Sequence, residues 1–162
     1  MCAALLTLAS LAQVGEWLGK NGVEEGTFTV LPRLSQGAMG KIVRRNVDVG
    51  VFTNRCEGGT NLVAMEVMAA GVPVVLSDNT GHKDVVRRVC EGRREDDGCY
   101  VLRDQRDGGW GEEGWGESQV EEVVRTLERV YKERDAARRV GRVGQERVWS
   151  WEQEIDRMFS SL

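Results

Sequence analysis

Hydrophobic positions recur along the chain with two periods, one typical of helices and one typical of strands. Leucines at helical spacing predict a first helix over residues 3–18, which ends where Asn and Gly residues follow at 19–22. Residues 27–31 have the composition of a strand, and Pro32 closes it. A short second helix is predicted over residues 37–46, where it ends in a basic turn.

The middle of the chain alternates strictly between strands and helices. Residues 47–52 form a β-branched run of the kind that is buried in parallel sheets. A helix at 62–70 follows, with Gly71 at its stop, and then a strand at 72–76 and a helix at 83–89. Because the connections are short, we predict βαβ units and an α/β fold, namely a Rossmann-like parallel sheet flanked by helices.

The last third of the chain is polar at first and then helical. Residues 91–118 are rich in Gly and charged side chains, and only 99–102 are apolar enough for a strand. Ser118 followed by Glu121 fits a capping box at the start of a helix. The helix has a stripe at a period of 3.6 residues, formed by Val120, Val123, Val124, Leu127 and Val130. We interpret the charged stretch at 133–142 as a solvated helix face, and we predict a helical C-terminus and a single domain over residues 1–162.

Composition narrows the classes of partner without naming one. The 162 residues are 41% apolar and 30% charged, with a net charge of −4. Basic residues are scattered among acidic ones, which argues against nucleic acid as a partner, because phosphate recognition relies on clustered Lys and Arg. The four cysteines lack CxxC spacing and there is one histidine, so we predict no metal site and free thiols in a reducing compartment.

The N-terminal segment is apolar but does not have the features of a targeting or membrane segment. It lacks the Lys or Arg that begins a signal peptide. It is also too short to cross a bilayer. We therefore expect a cytoplasmic protein with no transmembrane segment.

A glycine-rich turn joins the strand at 47–52 to the helix at 62–70, at the sheet edge where α/β proteins bind ligands. The helix N-terminus offers free backbone N–H groups and a partial positive charge, which suit a phosphate. Gly58 and Gly59 leave room for a ligand near the backbone, and Thr60 and Asn61 are suited to capping the helix or binding phosphate oxygens. An ordinary strand-to-helix turn explains the same residues, since the sequence is neither a Walker loop nor a GxGxxG motif.

Residues 57–75 resemble the donor-site signature of family 4 (group 1) glycosyltransferases. In that family a Glu-Gly turn leads into a helix with a second Glu, followed by Gly-x-Pro-Val-Val. The variant in this chain is similar to a bacterial-type subgroup, with Arg-Cys-Glu-Gly-Gly-Thr-Asn-Leu-Val-Ala-Met-Glu at 55–66 and Asn-Thr-Gly-His at 79–82. The resemblance extends from Val47 to the C-terminus. It implies the C-terminal, donor-binding half of a GT-B fold, and transfer of a hexosyl group from a nucleotide-diphosphate sugar, usually with retention.

The resemblance also implies a role for each matching residue. Glu57, the catalytic candidate, matches the carboxylate that holds hydroxyls of the transferred sugar. Glu66 matches the carboxylate that binds the two ribose hydroxyls. Backbone amides of the turn contact the diphosphate or the sugar, and the turn consists of Gly58, Gly59, Thr60, Asn61 and Leu62. The donor is a UDP- or GDP-linked sugar, and no separate cofactor is expected.

The chain differs from the family pattern in two ways. Eight residues separate Glu57 from Glu66 where the family has seven. The extra residue is expected in the turn, because an insertion in the helix would rotate Glu66 off its face. The sequence also contains no identifiable acceptor domain and no Arg/Lys pair for the diphosphate, and Lys41, Arg44 and Arg45 do not match that pair.

His82 and the tryptophans each allow two interpretations. His82 follows the strand at 72–76 and is able to reach the same crevice as the turn, but a polar loop histidine without function is the favoured interpretation. Four tryptophans are suited to stacking on a sugar, although packing of a C-terminal helix against its sheet is the commoner use of such residues. These are Trp110, Trp115, Trp149 and Trp151.

Three functions are compatible with these features. The leading hypothesis is an enzyme that transfers a hexosyl group, with an acceptor held by another domain. The alternative is a non-catalytic nucleotide-sugar-binding module or subunit that needs a separate acceptor-domain polypeptide. A truncated gene product without function is the third. A nucleotide-sugar epimerase is less favoured, because it needs acid/base groups that the sequence does not offer.

Overall fold

A computed structural model describes residues 11–90, 97–107 and 114–148, and the structural statements below concern these residues. Helices and strands alternate through the middle of the chain, and two helices close it. In chain order the elements are α1 (Leu11–Lys20), α2 (Gln36–Asn46), β1 (Gly50–Phe52), α3 (Leu62–Ala69), β2 (Val74–Ser77), α4 (His82–Cys90), β3 (Tyr100–Leu102), β4 (Gln105–Arg106), β5 (Glu117–Ser118), α5 (Val120–Lys132) and α6 (Arg134–Arg147).

The main sheet has three parallel strands with β2 in the centre. Gly50 of β1 lies opposite Val74, and Tyr100 of β3 lies opposite Val75. Parallel neighbours need a crossover connection, which α3 supplies between β1 and β2 and α4 supplies between β2 and β3. The α/β prediction, a Rossmann-like parallel sheet flanked by helices, is confirmed.

Alternate residues of β2 enter two apolar cores, one on each face of the sheet. Val74 and Leu76 pack in the core that α3 and α4 cover. Val75 packs in the second core, which includes residues of α5 and α6. Because β2 is fully buried on both faces, its sequence is a continuous apolar run rather than an alternating one.

Helix α6 packs through small residues instead of large apolar ones. Its buried positions are Ala137, Gly141 and Gly144, while its charged residues at 134–142 face solvent as predicted. A Cβ on Gly141 would lie 2.5 Å from the Gly71 carbonyl oxygen, and one on Gly144 would lie 2.5 Å from that of Gly98. The two glycines therefore allow α6 to approach the backbone of the turns that precede β2 and β3.

Most predicted elements are confirmed to within a few residues. The predicted segments in the middle of the chain overlap α2, β1, α3, β2, α4 and β3, and Gly71 ends α3 with a φ of +79°. The first helix ends as predicted at Asn21 and Gly22, where the Val23 N–H donates to the Leu18 carbonyl at 3.0 Å. Its predicted first half, at 3–10, lies outside the described residues.

The strand predicted at residues 27–31 is wrong. A strand requires a neighbour to complete its ladder, and within the described residues β1 pairs with β2 alone. The Thr27 N–H donates instead to the carbonyl of Glu24, at 3.2 Å, in a local turn.

The capping box predicted at Ser118 and Glu121 is also wrong. Helix α5 begins at Val120, and its N-cap, Gln119, makes no side-chain hydrogen bond to the helix. Ser118 lies in β5, which pairs antiparallel with β4, and its hydroxyl contacts that of Ser77 at 2.7 Å. Neither β4 nor β5 has an apolar pattern that predicts a strand.

The apolar stripe of α5 is only partly buried. Val123, Leu127 and Val130 pack against the second core, as predicted. Val120 and Val124 are 69% and 49% exposed.

None of the helices in the described ranges combines the length and the apolar content that a membrane span requires.

Candidate functional site

Loops from neighbouring strands meet at the carboxyl edge of the sheet. Residues 53–61 lead from β1 to α3, and residues 78–81 lead from β2 to α4. The two loops are joined by the Gly81 N–H, which donates to the Glu57 carbonyl at 3.2 Å. Ligands bind at this edge in open α/β sheets, so the predicted turn lies where a ligand site is expected.

The turn before α3 presents a row of backbone N–H groups. Asn61 caps the helix, since its Oδ1 accepts the Ala64 N–H at 3.0 Å. The N–H groups of residues 58–63 donate to no acceptor in the described part of the chain. Together with the positive end of the α3 dipole, these groups are suited to an anion such as a diphosphate.

Gly58 and Gly59 are exposed and stand beside open space. Neither has the left-handed φ that favours glycine. A Cβ added to either residue would meet no atom within 4 Å. Neither backbone conformation nor packing therefore requires glycine here, and the open space leaves room for close approach of a ligand to the backbone.

Gly81, in contrast, is required by packing. A Cβ at this position would lie 1.6 Å from the carbonyl oxygen of Gly59 and 3.0 Å from that of Glu57. The turn at 57–59 therefore rests directly on the backbone of the next loop, and the two loops form one unit.

Asn79 and Thr80 hold this unit together. The Asn79 amide donates to the carbonyls of Asn54, at 2.9 Å, and Gly116, at 3.0 Å. The Thr80 hydroxyl accepts the Glu57 N–H at 2.7 Å and donates to Asn79 Oδ1 at 3.2 Å. Thr80 has a φ of +35°, a costly conformation for a β-branched residue. Such strain is concentrated at functional sites, where surrounding contacts maintain it.

The two glutamates lie on either side of the turn. Glu57 is half-buried, and its Oε2 accepts a hydrogen bond from Asn54 Nδ2 at 3.2 Å. Glu66 is exposed one helical turn after Leu62, on the same face of α3. Its Oε1 accepts from Gln36 Nε2 at 3.3 Å. Leu62 is 58% exposed. At the start of the turn, the Glu57 carboxylate thus lies beside the Asn54 amide. At its other end, the Glu66 carboxylate shares a helix face with the apolar side chain of Leu62.

Comparison with known proteins identifies the family. A family model described as "Family 4 Glycosyltransferase in conflict systems" matches residues 20–158. The chain belongs to this family. No curated protein is similar enough in sequence to be matched.

Two solved structures have the same GT-B architecture as this glycosyltransferase family member. Sucrose-phosphate synthase from Thermosynechococcus elongatus is similar over 93% of the chain, with a TM-score of 0.65 and 17% identity. HepE from Anabaena, solved in complex with UDP, is similar over 94% of the chain, with a TM-score of 0.63 and 16% identity. The chain covers 35% and 37% of their lengths, so it spans little more than a third of either.

His82 lies beneath the site and not in a loop as predicted. It is the first residue of α4 and is fully buried, with its Nε2 2.9 Å from Asn61 Nδ2. Because Asn61 Oδ1 accepts from Ala64, its Nδ2 must be the donor to the ring. The assigned hydrogen bonds therefore give a neutral ring with its proton on Nδ1. His82 orients the residue that caps α3 and does not line the open face of the turn.

The environment of His82 favours the neutral ring. Burial lowers the pKa of His82 below its ordinary value, and the charge of Glu57 and the backbone of Ser77 partly oppose this effect. The Ser77 backbone lies near the ring without forming a well-directed hydrogen bond, since Nδ1 has no partner among the described residues. A protonated ring would also direct an N–H at the Asn61 amide group and weaken the helix cap.

The arginines upstream of the turn lie at the opposite edge of the sheet. Arg44 and Arg45 line a cavity of about 280 Å³ together with Arg138 and residues 70–73. The cavity adjoins the amino ends of β1 and β2 and the C-terminal ends of α2 and α3, whose carbonyl groups disfavour anions. Neither Arg44 nor Arg45 is therefore placed to neutralise a diphosphate at the turn.

Asn79 and Thr80 hold the two loops of the site together, and Trp115 adjoins them through its neighbour Gly116; the sequence analysis gave Asn79 and Thr80 no role of their own. The first two directly follow β2, so the rule for the carboxyl edge of a parallel sheet was the signal that indicated them. Trp115 is 36% exposed and belongs to neither apolar core of the described residues, so these cores do not support the packing role predicted for it. The other three tryptophans with this prediction lie outside the described residues.

The described cysteines and acidic residues provide no metal site. No group of three or more His, Cys, Asp or Glu side chains in the described ranges is placed to hold an ion. Cys56, Cys90 and Cys99 form no disulfide, although the sulfur atoms of Cys90 and Cys99 are 3.3 Å apart.

Proposed function

We propose that this family 4 glycosyltransferase binds a UDP- or GDP-linked sugar at the turn before α3. The observation that supports this most strongly is the row of backbone N–H groups at 58–63, which have no acceptor in the described chain and lie between two carboxylates. The diphosphate lies against these groups and the positive end of α3. The site needs no separate cofactor. HepE, which has a similar fold, was solved in complex with UDP, and this supports a nucleotide as the ligand.

In the proposed complex, Glu66 binds the nucleoside end of the donor and Glu57 binds its sugar end. Glu66 is exposed and has one oxygen turned to Gln36, which leaves its second oxygen for the ribose hydroxyls. The exposed Leu62 packs beside the nucleoside on the same helix face. Glu57, oriented by Asn54, accepts hydrogen bonds from hydroxyls of the transferred sugar. A carboxylate suits a diol because it has two acceptor oxygens.

The proposed reaction is transfer of a hexosyl group with retention at the anomeric carbon. Negative charge develops on the departing diphosphate as the bond between the sugar and the phosphate oxygen breaks. Backbone N–H groups that already point at this charge stabilise the transition state without reorganising. Glu57 fixes the sugar, and no protein nucleophile takes part.

We propose that the acceptor is bound by another domain or by a separate polypeptide. The supporting observation is that the chain spans little more than a third of two GT-B structures. The same observation supports the alternative function, a donor-binding subunit without activity of its own. Transfer assays with the chain alone and with an added acceptor-domain polypeptide separate the two arrangements. Transfer by the chain alone would contradict the need for a partner.

The test of donor binding is calorimetric titration with UDP, GDP and their 2′-deoxy forms. We expect one of the ribonucleotides to bind, and its 2′-deoxy form to bind more weakly because one partner of Glu66 is missing. Glu66→Gln should weaken binding of the ribonucleotide by roughly 10- to 100-fold, since hydrogen bonds to a charged group contribute about 1.5–3 kcal/mol. The variant should also discriminate much less between the ribose and deoxyribose forms.

Glu146→Gln is the matched control, because Glu146 is an exposed glutamate on another helix. It should bind the nucleotides as the wild-type chain does. If no nucleotide binds to the wild-type chain, or if Glu66→Gln and Glu146→Gln bind alike, the proposed function is wrong.

A further inference from the structure

Residues 114–118, here called the 114–118 strip, run along the sugar end of the proposed site. The Gly116 N–H donates to the Arg55 carbonyl at 3.0 Å, and the Gly116 carbonyl accepts from Asn79. Arg55 and Glu117 form an ion pair between the same two segments. The strip is thus bonded to both loops that form the site, through Gly116 and Glu117, which directly follow Trp115.

The backbone of the strip approaches these loops closely because glycines flank Trp115. A Cβ on Gly116 would lie 2.9 Å from Gln105 Oε1 and 3.5 Å from Asn79 Cβ. Gly114 has a φ of +85°, and a Cβ there would lie 3.9 Å from Thr80 Cγ2. Trp115 is therefore the one large side chain among residues 114–116, and the backbone directly after it is held by the hydrogen bonds of Gly116.

Trp115 is unusual because the backbone beside it is held by hydrogen bonds, while its side chain is not packed in an apolar core. It is 36% exposed and belongs to neither apolar core of the described residues. Large aromatic surfaces gain substantial free energy from burial, so a partly exposed aromatic ring beside the proposed site favours a ligand with an apolar face. Glu57 and Asn54, on the loop that the strip contacts, supply hydrogen-bonding groups.

A hexose ring matches this combination of groups. One face of a pyranose consists of C–H groups, which suit an aromatic plane, and its hydroxyls suit a carboxylate and an amide. The nucleoside end of the proposed site lies on the other side of the turn, at Leu62 and Glu66. An aromatic ring on the 114–118 strip is therefore nearer in the fold to the sugar than to the base.

We propose that Trp115 determines sugar specificity by stacking on the hexose of the nucleotide-sugar donor. This inference rests on the proposed function. The indole supplies a flat apolar surface for one face of the ring while Glu57 holds its hydroxyls. The strip, fixed by Arg55 and Asn79, sets the distance between the two.

The experiment compares the nucleoside diphosphate with the nucleotide sugar in the same variants. UDP, UDP-glucose, GDP and GDP-mannose are titrated against the wild-type chain, Trp115→Ala, Trp115→Phe and Trp17→Ala. Trp17 is a matched control, because it is an exposed tryptophan on α1. We expect Trp115→Ala to bind the diphosphate as the wild type does, and to bind the sugar nucleotide roughly 3- to 10-fold more weakly. Trp115→Phe should keep most of the affinity, and Trp17→Ala all of it.

A second measurement does not depend on the stability of the alanine variant. The sugar nucleotide should change the tryptophan fluorescence of the wild-type chain more than the diphosphate does, and this difference should disappear in Trp115→Phe. Equal weakening of diphosphate and sugar nucleotide in Trp115→Ala would overturn the inference and place Trp115 at the nucleotide or in the scaffold. Equal loss in Trp115→Ala and Trp115→Phe, or in Trp17→Ala, would also overturn it. If the wild-type chain binds none of the four ligands, the proposed function itself fails.

Discussion

Gly58, Gly59 and Gly81 lie in the same pair of loops, yet packing requires only Gly81. The first two stand beside open space, and the third is in contact with the carbonyl of Gly59. Gly58 and Gly59 therefore serve the proposed approach of the ligand, whereas Gly81 is needed for folding. It also provides a matched pair of substitutions of the same chemistry.

We expect Gly59→Ala to change the free energy of unfolding by less than about 1 kcal/mol, because the added methyl meets no other atom. It should nevertheless weaken nucleotide-sugar binding at least tenfold, since the methyl projects into the space over the turn. Urea unfolding and calorimetric titration measure the two effects.

Gly81→Ala is the contrasting substitution and should destabilise the fold by about 3 kcal/mol, at the upper end for overpacking, because the carbonyl of Gly59 occupies the space that the methyl needs. Equal loss of stability in the Gly59 and Gly81 variants would show that the space over Gly59 is not free.

His82 provides a pH-dependent prediction, and as the only histidine of the chain it can be observed without assignment. Burial lowers its pKa below the ordinary value of 6.5. At pH values between the folded and the unfolded pKa of His82, the unfolded chain binds more protons than the folded chain. The stability contributed by the neutral ring is therefore complete above about pH 6.5, and it is lost as the pH falls through the folded pKa. We expect the imidazole resonances to titrate below pH 6.5 in the folded protein.

The control is urea unfolding at pH 7.5 and pH 5.5 of the wild-type chain and of His82→Gln. The substitution should remove the part of the pH dependence that belongs to the ring. A His82 pKa at or above 6.5 in the folded protein would contradict the buried, neutral ring and its role in orienting Asn61.

At the scale of elements, Arg147 connects α6 to the end of α4. Its guanidinium donates to the carbonyl of Val89 at 2.7 Å and to that of Asp97 at 2.6 Å, and it reaches the Asp97 carboxylate at 3.1 Å. The side chain is only 20% exposed. These bonds reach one carbonyl group in the last turn of α4 and one at Asp97.

We expect Arg147→Ala to lower the free energy of unfolding by about 1.5–3 kcal/mol, the range for lost hydrogen bonds to a charged group. Arg142→Ala is the control, because Arg142 is exposed on the same helix, and its effect should stay within about 0.5 kcal/mol. Chemical unfolding of both variants measures the difference. Similar stabilities of the two variants would show that the Arg147 contacts do not hold α6 in place.

The buried strands and helices of the middle of the chain were predictable because their patterns are local. The apolar run of β2 is continuous since both faces are covered, and the stop at Gly71 requires only its own backbone conformation. The segment at 27–31 has a suitable composition, but a strand also needs a ladder, which depends on distant residues. The pairing of β4 with β5 depends likewise on polar contacts, such as that between Ser77 and Ser118, and has no apolar signature.

At the scale of the whole molecule, the candidate site was only partly predictable. The turn and Glu66 were indicated by the sheet edge and by resemblance to the family. The role of Asn79 depends on contacts with Asn54, 25 residues away, and Gly116, 37 residues away, which no local pattern reveals. The burial of His82 depends in the same way on its partner Asn61.

Donor binding and acceptor binding are proposed to lie in different parts of the glycosyltransferase. The chain belongs to a glycosyltransferase family, and the groups proposed to bind the donor all lie at one edge of one sheet. We propose that this edge binds the nucleotide sugar and that the acceptor is bound elsewhere. Donor binding is therefore the property that the isolated chain should retain.

The most direct test is a backbone amide NMR titration of the chain with UDP and with GDP. The amides of residues 58–63 should shift progressively and saturate with one of the two nucleotides, because they donate to the diphosphate. Amides around the cavity at Arg44 and Arg45, on the opposite edge of the sheet, should remain unchanged. Shifts confined to that cavity, or no saturable shifts at residues 58–63 with either nucleotide, would contradict the proposal that the turn before α3 binds the donor.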